Sequence, residues 1–528
     1  MIYPPNLHAI PDQGRPTRQR VRPVTDRIAD DRLQKLNTLR EREIEPYPAR
    51  VPASVPIQDC LQDIDQRQGE KVTVAGRLGQ VRDFGKLRFA HLRDISGQIQ
   101  IGFQRDSLPD FWPNRKLVET ADHVVIEGEL GKTKKGENTV WATEVTLASK
   151  CLRHPPEKWH GMKDTEARYR QRYADLFANP EIRDTFITRS RIVQEIRNYY
   201  HGLGYVEVET PILQPIFGGA TARPFSTHHN TLDMPLFMRI APELYLKRLI
   251  VGGMERVFEV GRVFRYVGFS MRQNPEFTMV ETYEAYADYR TIMERVEGLF
   301  THLCQTVVGS DKITFRDKEY NLSAPFEKKR YCELFADAND GLDFFDEAGV
   351  LARAKALNLK TDGLPSEKIA NDIFEATVED NLEGPVFVYD YPLAICPLSK
   401  QRPDDPRIAE RFELFVAGME LGNAFSELND PQDQEQRFRS QLEQADDESS
   451  SEMDEDYVAA LEYGMPPAGG LGIGVDRLCM LLTGSSTIRD VVLFPLLRQI
   501  KGGTAEGDDS ADPADNRQEE TSGHTSES

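Results

Sequence analysis

Apolar residues recur along the chain with two periods, and the change from one to the other marks its divisions. Leu33, Leu36 and Leu39 repeat at helical spacing among charges until Pro46 and Pro48 stop the pattern, which predicts a short helix within residues 1–45. From 71 to 150 the period shortens to two. The runs Val72/Val74, Leu87/Phe89/His91, Ile99/Ile101/Phe103, Val124/Ile126/Gly128 and Val140/Ala142/Val145 are separated by turn residues at 83–86, 96–97 and 131–138. They predict about five strands and a small closed β-barrel over 46–152. Residues 153–179, with Pro155, Pro156 and Gly161, read as a linker. Asn179 and Pro180 then look like an N-cap and first helical position, Ile192, Ile196, Tyr199 and Leu203 mark one helical face, and Gly204 ends it. Strands are predicted at 205–209, 257–265, 277–283, 386–389, 411–415, 423–427 and 470–474, and helices at 244–251, 290–307, 350–357, 366–378 and 475–482. Their irregular order predicts an α+β domain around an antiparallel sheet over 180–500.

Composition narrows the picture. A chain of 528 residues with 39% hydrophobic and 29% charged residues is long enough for two or three globular domains. Six cysteines lie far apart without a Cys-x-x-Cys pair, which argues against a disulfide framework or a thiolate zinc site and for a reducing, cytoplasmic compartment. No apolar run approaches membrane-spanning length and the start lacks a signal-peptide core, so membrane partners are not expected. The net charge of −21 speaks against a polyanionic partner until it is divided: 71–150 holds thirteen Lys or Arg against ten Asp or Glu. An anionic ligand is steered to that segment. The first 25 residues, rich in Pro and Arg, read as a disordered basic arm; 501–528 reads as a disordered acidic tail, and the acidic run 443–456 as a surface loop.

Four places carry candidate chemistry. Phe264-Arg265 and Arg272-Gln273-Asn274-Pro275-Glu276-Phe277 read as two strands joined by a polar loop, with Phe277, Met279, Glu281 and Tyr283 on one face. An Arg there can grip a phosphate or carboxylate and Phe277 can stack on a base; a surface hairpin with solvated charges is the competing reading. Glu413 and Glu420 would face each other across a tight turn near Ala417 and Gly418, and two such carboxylates can hold Mg²⁺ brought in by phosphates. Asn423, Phe425 and Glu427 alternate on one face, and Glu420 joins them only if a bulge near Gly422 corrects the parity. Gly470, Gly472 and Gly474 lead into Val475-Asp476-Arg477 and an apolar helix, allowing close backbone approach and an anion at the helix start; neither a dinucleotide fingerprint nor a Walker A sequence is present. In the barrel, Phe89 and Gln100 on adjacent strands, near Arg82, Lys86 and Arg88, could form a single-strand platform unless Phe89 is core.

In this order the barrel, Val206-Glu207-Val208-Glu209-Thr210-Pro211, the Arg265 hairpin and 470–477 resemble the anticodon domain and three signature motifs of class II aminoacyl-tRNA synthetases. Ala241-Pro242-Glu243-Leu244-Tyr245-Leu246-Lys247-Arg248, Asn274-Pro275-Glu276-Phe277-Thr278 and Leu421-Gly422-Asn423-Ala424-Phe425-Ser426-Glu427-Leu428 are similar to the lysyl members. The resemblance implies an OB-fold anticodon barrel, a class II catalytic domain, a homodimer formed through the long helix and the strand into Pro211, and tRNA(Lys), ATP and L-lysine as partners. It implies that Glu427 and Tyr283 bind the lysine ε-ammonium, Glu243 the α-amino group, and Arg265 with Asn423 the carboxylate, with Glu281 and Phe425 lining the same pocket. Gly218 and Gly219 would belong to a closing loop; Arg272, Gln273, Asn274 and Phe277 would bind ATP; Arg265 and Arg477 would act on its phosphates as catalytic residues. Glu413 and Glu420 would hold Mg²⁺, Phe89 and Gln100 would read the central anticodon base, and Glu137 a neighbour. A paralogue with altered ATP use, activating lysine for another acceptor, and a nucleic-acid-binding or regulatory protein with an inactive core are the alternatives. The intact barrel weighs against the first, and Arg265, Glu413, Glu420 and Arg477 together against the second.

Two positions depart from the family's pattern: Val267 stands where a glutamate is usual and Gln273 where a histidine is usual. Each lost contact costs about 1–3 kcal/mol where nothing compensates. Tyr266 or Gln273 is expected to substitute only in part, so restoring both with Val267→Glu and Gln273→His should lower the apparent KM for ATP in steady-state kinetics; an unchanged KM would overturn this expectation.

Overall fold

The computed structural model describes residues 27–155, 164–220, 222–267, 270–271, 273–443 and 453–498, so the basic arm up to residue 26, the acidic tail, Arg272 and most of the acidic run lie outside the described residues. The chain divides into two units, Met1–Lys163 and Asp164–Ser528.

In the first unit, period-two patterning closes a barrel. Strands β1 (Lys71–Phe84), β2 (Leu87–Arg93), β3 (Gln98–Gln104), β4 (His123–Lys132) and β5 (Asn138–Ser149) pair in the order β1-β2-β3-β5-β4. Val74, Leu92, Ile101, Ile126 and Val140 meet inside. The expected run Leu87/Phe89/His91 is outward on β2; the buried residues are Arg88, Ala90 and Leu92. Arg88 is therefore not a phosphate cation: its guanidinium is held by the backbone carbonyls of Arg115 and Val118. The helix Arg27–Glu41 covers the barrel with Leu36 and Leu39 buried, while Leu33 stays exposed.

The stretch expected as a linker is partly folded into the second unit. Helices Thr165–Arg170 and Arg172–Ala178 are pinned because Arg172, fully buried, pairs with Asp175 at 2.6 Å and donates to the carbonyls of Leu493 and Arg489. A helix pattern this short is hidden by its charges. Asn179 does precede the helix Pro180–Gly202, but its amide donates to Asp175 (2.6 Å) instead of capping the helix. Gly204, at φ +81°, turns the chain out of that helix.

The second unit is built on an eight-stranded sheet. With β6 (Val206–Glu207), β7 (Leu213–Gln214), β8 (Ser226–His229), β9 (Met234–Met238), β10 (Arg256–Phe264), β11 (Glu276–Ala285), β12 (Lys312–Phe315), β13 (Lys318–Asn321), β14 (Glu327–Arg330), β15 (Val386–Pro392), β16 (Ile408–Val416), β17 (Met419–Ser426) and β18 (Ala468–Gly474), its order is β14-β15-β16-β17-β18-β11-β10-β6. The centre is antiparallel and only the outermost pairs, β14/β15 and β6/β10, are parallel. The strand expected over 205–209 pairs only at Val206 and Glu207. Helices Tyr289–Leu303 and Val475–Thr483 bury their apolar faces with Ile192, Ile196 and Tyr200 against this sheet. The small sheet β7-β9-β8, the hairpin β12-β13 and the helices Tyr331–Ala338, Pro431–Glu443 and Glu455–Glu462 were not predicted; β8 has no buried position and so shows no alternation to read.

The Arg172–Asp175 pair gives the junction a testable energetic signature. Asp175→Ala leaves a buried guanidinium without its counter-ion and is expected to cost about 3–5 kcal/mol, read as a lowered unfolding midpoint. Glu166→Ala at the exposed Arg170–Glu166 pair is expected to cost no more than about 1 kcal/mol.

Candidate active site and nucleic-acid interface

The floor of the main cavity is made by what β18 lacks. Gly470, Gly472 and Gly474 stand in register with Tyr283, Glu281 and Met279 on β11, and Gly470 and Gly472 also with Phe425 and Asn423 on β17. Side chains from both neighbours lean over this bare strand. A Cβ at Gly470 would lie 1.9 Å from a Glu427 carboxylate oxygen and 2.5 Å from the Tyr283 ring, so only glycine fits. The resulting cavity, about 470 Å³, is lined by Gly218, Gly219, Glu243, Arg265, Gln273, Asn274, Phe277, Glu281, Tyr283, Glu420, Asn423, Phe425 and Arg477. It gathers most of the residues singled out in the sequence.

Glu427 leans over Gly470 beside the Tyr283 ring, on the face of the sheet that carries the cavity. It is 1% exposed, pairs with Lys247, and among the described residues neither of its oxygens accepts a well-formed hydrogen bond. Glu243 opens the helix Glu243–Val251 and bonds the same ammonium at 2.6 Å. Burial raises both carboxyls above their ordinary range and Lys247 opposes that rise. Burial, with the Glu243 charge, pushes Glu281 up to about 8, so at neutral pH it holds a proton. Gly219, at φ +86°, brings the loop against Glu243: a Cβ there would sit 2.9 Å from the Glu243 Cβ.

On the other side of the cavity Arg265 stacks over Phe277 at 5.2 Å from the ring centroid and donates to the Ile240 carbonyl. The Asn274 amide is fixed by the Glu276 carbonyl at 2.5 Å. Arg477, at the start of helix Val475–Thr483, donates to the Glu420 carbonyl (2.7 Å) and carboxylate (3.2 Å). Val267 and Gln273 both line this part of the cavity.

The turn at Ala417 and Gly418 forms as expected, with positive φ at both residues, yet Glu413 and Glu420 are not directly opposite each other. Glu413 faces Asn423 and Glu420 faces Phe415, because β17 carries an extra residue, Leu421, opposite the Leu414/Phe415 step. That bulge is the one the parity demanded, and it puts Glu420 on the site side while Leu421 is buried. Both glutamates line an adjoining cavity of about 550 Å³ with Glu375 and Glu379. Burial and then the Glu413, Glu375 and Glu420 charges push Glu379 up to about 8, and burial with Glu420 raises Glu413 against the pull of Arg411. Among the described residues no three acidic, histidine or cysteine side chains converge closely enough to hold a metal ion, so Glu413 and Glu420 would need further oxygen ligands to complete the shell of a divalent cation.

Sequence reasoning missed Arg411 and Lys247. Arg411 donates to Asn423 (3.1 Å) and pairs with Glu413, lying 4.7 Å from the Tyr391 ring centroid, so one guanidinium braces both cavities. Strand parity two residues before Glu413 could have found it, as could the four-residue spacing from Glu243 to Lys247.

In the first unit Phe89 is outside the core, edge-on to Trp141 (5.9 Å) and Phe84 (6.2 Å). Gln100 is on the same face, held by the Thr139 hydroxyl at 3.0 Å, and Glu137 meets His91 at 3.1 Å. Gly102 has no side chain because the Trp141 ring occupies its place, 2.5 Å from a would-be Cβ. Three rings, an amide and the exposed Arg82 make a face suited to unstacked bases.

The family model for class II tRNA synthetases (D, K and N) matches residues 164–498, and the OB-fold nucleic acid binding domain model matches 72–148. The chain is 48% identical to the lysine–tRNA ligase of Carboxydothermus hydrogenoformans over 474 residues, 88% of this chain and 97% of the relative. It is equally identical to those of Bacillus subtilis (89% and 96%) and Staphylococcus epidermidis (89% and 98%). With the glycine-floored cavity on an antiparallel sheet and a base-stacking barrel already in place, these matches make the chain a member of the class II aminoacyl-tRNA synthetase family that handles aspartate, lysine and asparagine.

Proposed function

We propose that the chain activates L-lysine with ATP to lysyl-adenylate and pyrophosphate, then transfers the lysyl group to the 3′ end of tRNA(Lys). The observation that carries this reading is the desolvated Glu427 carboxylate over Gly470, held at one fixed depth beside a cavity walled by Glu243 and Tyr283. A buried anion at set depth selects an ammonium-tipped side chain far better than an apolar pocket separates chains one methylene apart. In this reading Glu427 and Tyr283 take the ε-ammonium, Glu243 the α-amino group, and Asn423 with Arg265 the carboxylate, while Glu281, Phe425 and the loop at Gly218 and Gly219 enclose the chain. Asn274, Phe277, Gln273 and Arg272 take the nucleotide.

The lysine carboxylate attacks the α-phosphorus and pyrophosphate leaves, with Arg265 stabilising charge at the α-phosphate and Arg477 at the terminal phosphate. No protein nucleophile is needed, because placement and charge stabilisation carry this chemistry. Glu413 and Glu420 would hold Mg²⁺, which when bound neutralises phosphate charge. The barrel over 46–152 binds the anticodon through Phe89, Gln100 and Glu137, and the domain over 180–500 carries the chemistry. Exposed Val206, Ile212 and Leu213 near the strand into Pro211 support a homodimer, and six unpaired cysteines support a cytoplasmic setting. No helix among the described residues is long and apolar enough to cross a membrane.

Amino-acid-dependent ATP–pyrophosphate exchange without tRNA is expected with lysine and not with the other amino acids; exchange driven by another amino acid, or none at saturating ATP, would overturn the reading. Glu427→Gln is expected to raise the lysine KM about 10–100-fold, the worth of a charge-assisted hydrogen bond, while the KM for ATP stays near its original value. Phe89→Ala removes a stacking surface worth about 1–3 kcal/mol per base and should weaken tRNA binding in a filter assay.

A further inference from the structure

Behind the amino-acid cavity lies a charge that the proposed reaction does not use. Lys247 sits one helical turn after Glu243 and is fully buried, with Nζ 2.6 Å from Glu243 Oε1, paired with Glu427, and 5.2 Å from the Phe425 ring centroid. Glu243 and Phe425 line the cavity and Lys247 does not. Its ammonium thus ties the Glu243 carboxylate to the Glu427 carboxylate from outside the cavity. Burying an ammonium costs several kcal/mol, and Leu or Met would fill this helix face without that cost.

The groups around it are few and their signs are clear. Glu243 comes from its own helix, Glu427 follows β17, Glu281 and Tyr283 come from β11, and Tyr457 comes from helix Glu455–Glu462. Arg411 on β16 acts on Glu243 from a distance. Burial would depress the Lys247 ammonium, but the Glu243 and Glu427 charges raise it, so it stays charged. Two carboxyl groups thus share one ammonium, with Glu281 pushed up to about 8 by burial beside them. Free lysine carries two ammonium groups and one carboxylate, a single net positive charge. Were residue 247 neutral, two like charges would share a low-dielectric pocket and one would take up a proton.

From this we infer that Lys247 is a positioning residue for amino-acid selection, pinning Glu243 and Glu427 to one ammonium so that the site accepts only a side chain ending in an ammonium. The inference rests on the lysine reading of the preceding subsection. Glu427 is selective because Lys247 fixes its place, and Lys247 does so without lining the cavity.

The test compares Lys247→Met and Lys247→Gln with the wild-type full chain in ATP–pyrophosphate exchange, using lysine and norleucine, whose side chain lacks only the terminal amine, from pH 6 to pH 9. The expected result is a lysine KM raised about 10–100-fold, as for loss of a charge-assisted contact, with kcat changed far less. The lysine-to-norleucine ratio of kcat/KM should fall at least about tenfold. In the variants the lysine KM should also be highest at low pH and fall as pH rises, with a steeper slope than in the wild type, whose carboxyls are also raised. An unchanged norleucine ratio with a pH profile parallel to wild type would overturn the inference, as would failure of both variants to fold by circular dichroism, which would make Lys247 a folding element. Wild-type exchange indifferent to lysine would overturn the earlier reading and this inference with it; the variants alone decide the inference when that reading stands.

Discussion

The site depends on a steric vacancy held in register. One strand of the central sheet presents glycine at every second position, and the strands on either side place their functional residues opposite those gaps. Because side chains alternate with period two, the same register that removes bulk from the floor aims Glu281, Tyr283, Asn423 and Phe425 over it. A shift of one residue would fill the floor with Leu471 and Ile473 and turn the glycines toward the helical core. Shape and chemistry are therefore fixed together by one pairing of three strands.

Electrostatics adds a second organisation to the first. The acidic groups form two clusters, Glu243, Glu281 and Glu427 around one cavity and Glu375, Glu379, Glu413 and Glu420 around the next. Each has a cation braced against it, the fully buried Lys247 in one and the half-buried Arg411 in the other. Arg411 also reaches Asn423, so the wall between the cavities is a guanidinium with contacts on both sides. Buried like charges persist here only because a neighbour of opposite sign, or a proton, offsets their desolvation.

Much of this was legible in the sequence where a strand has one buried face. The barrel, the central strands and the helices Glu243–Val251 and Val475–Thr483 have clear periodicity, and the parity of Glu420 against Asn423 even required the bulge. Two of the failures share a cause. On β2 the apolar Leu87 and Phe89 sit outward while the aliphatic stem of Arg88 turns inward, and the segment after Asp164 is held by the charged pair Arg172 and Asp175. In each case a charged residue occupies an interior place and hydrophobicity points the wrong way. Lys247 was in plain view in a quoted motif, but burial, which gives it significance, is a tertiary property. The approach of Glu427 into the space over Gly470 was equally invisible to spacing alone.

The bulge at Leu421 also says something about how much length this hairpin can lose. A ladder without the extra residue would be the more regular one, with every carbonyl and amide in step from Arg411 to the turn. It would also rotate Glu420 into the apolar interior and leave Arg477 without its carboxylate partner. Here the better-formed hairpin is the worse enzyme: a one-residue deletion, harmless in most surface turns, becomes a switch of face, and the imperfection in the sheet is what keeps the glutamate at work.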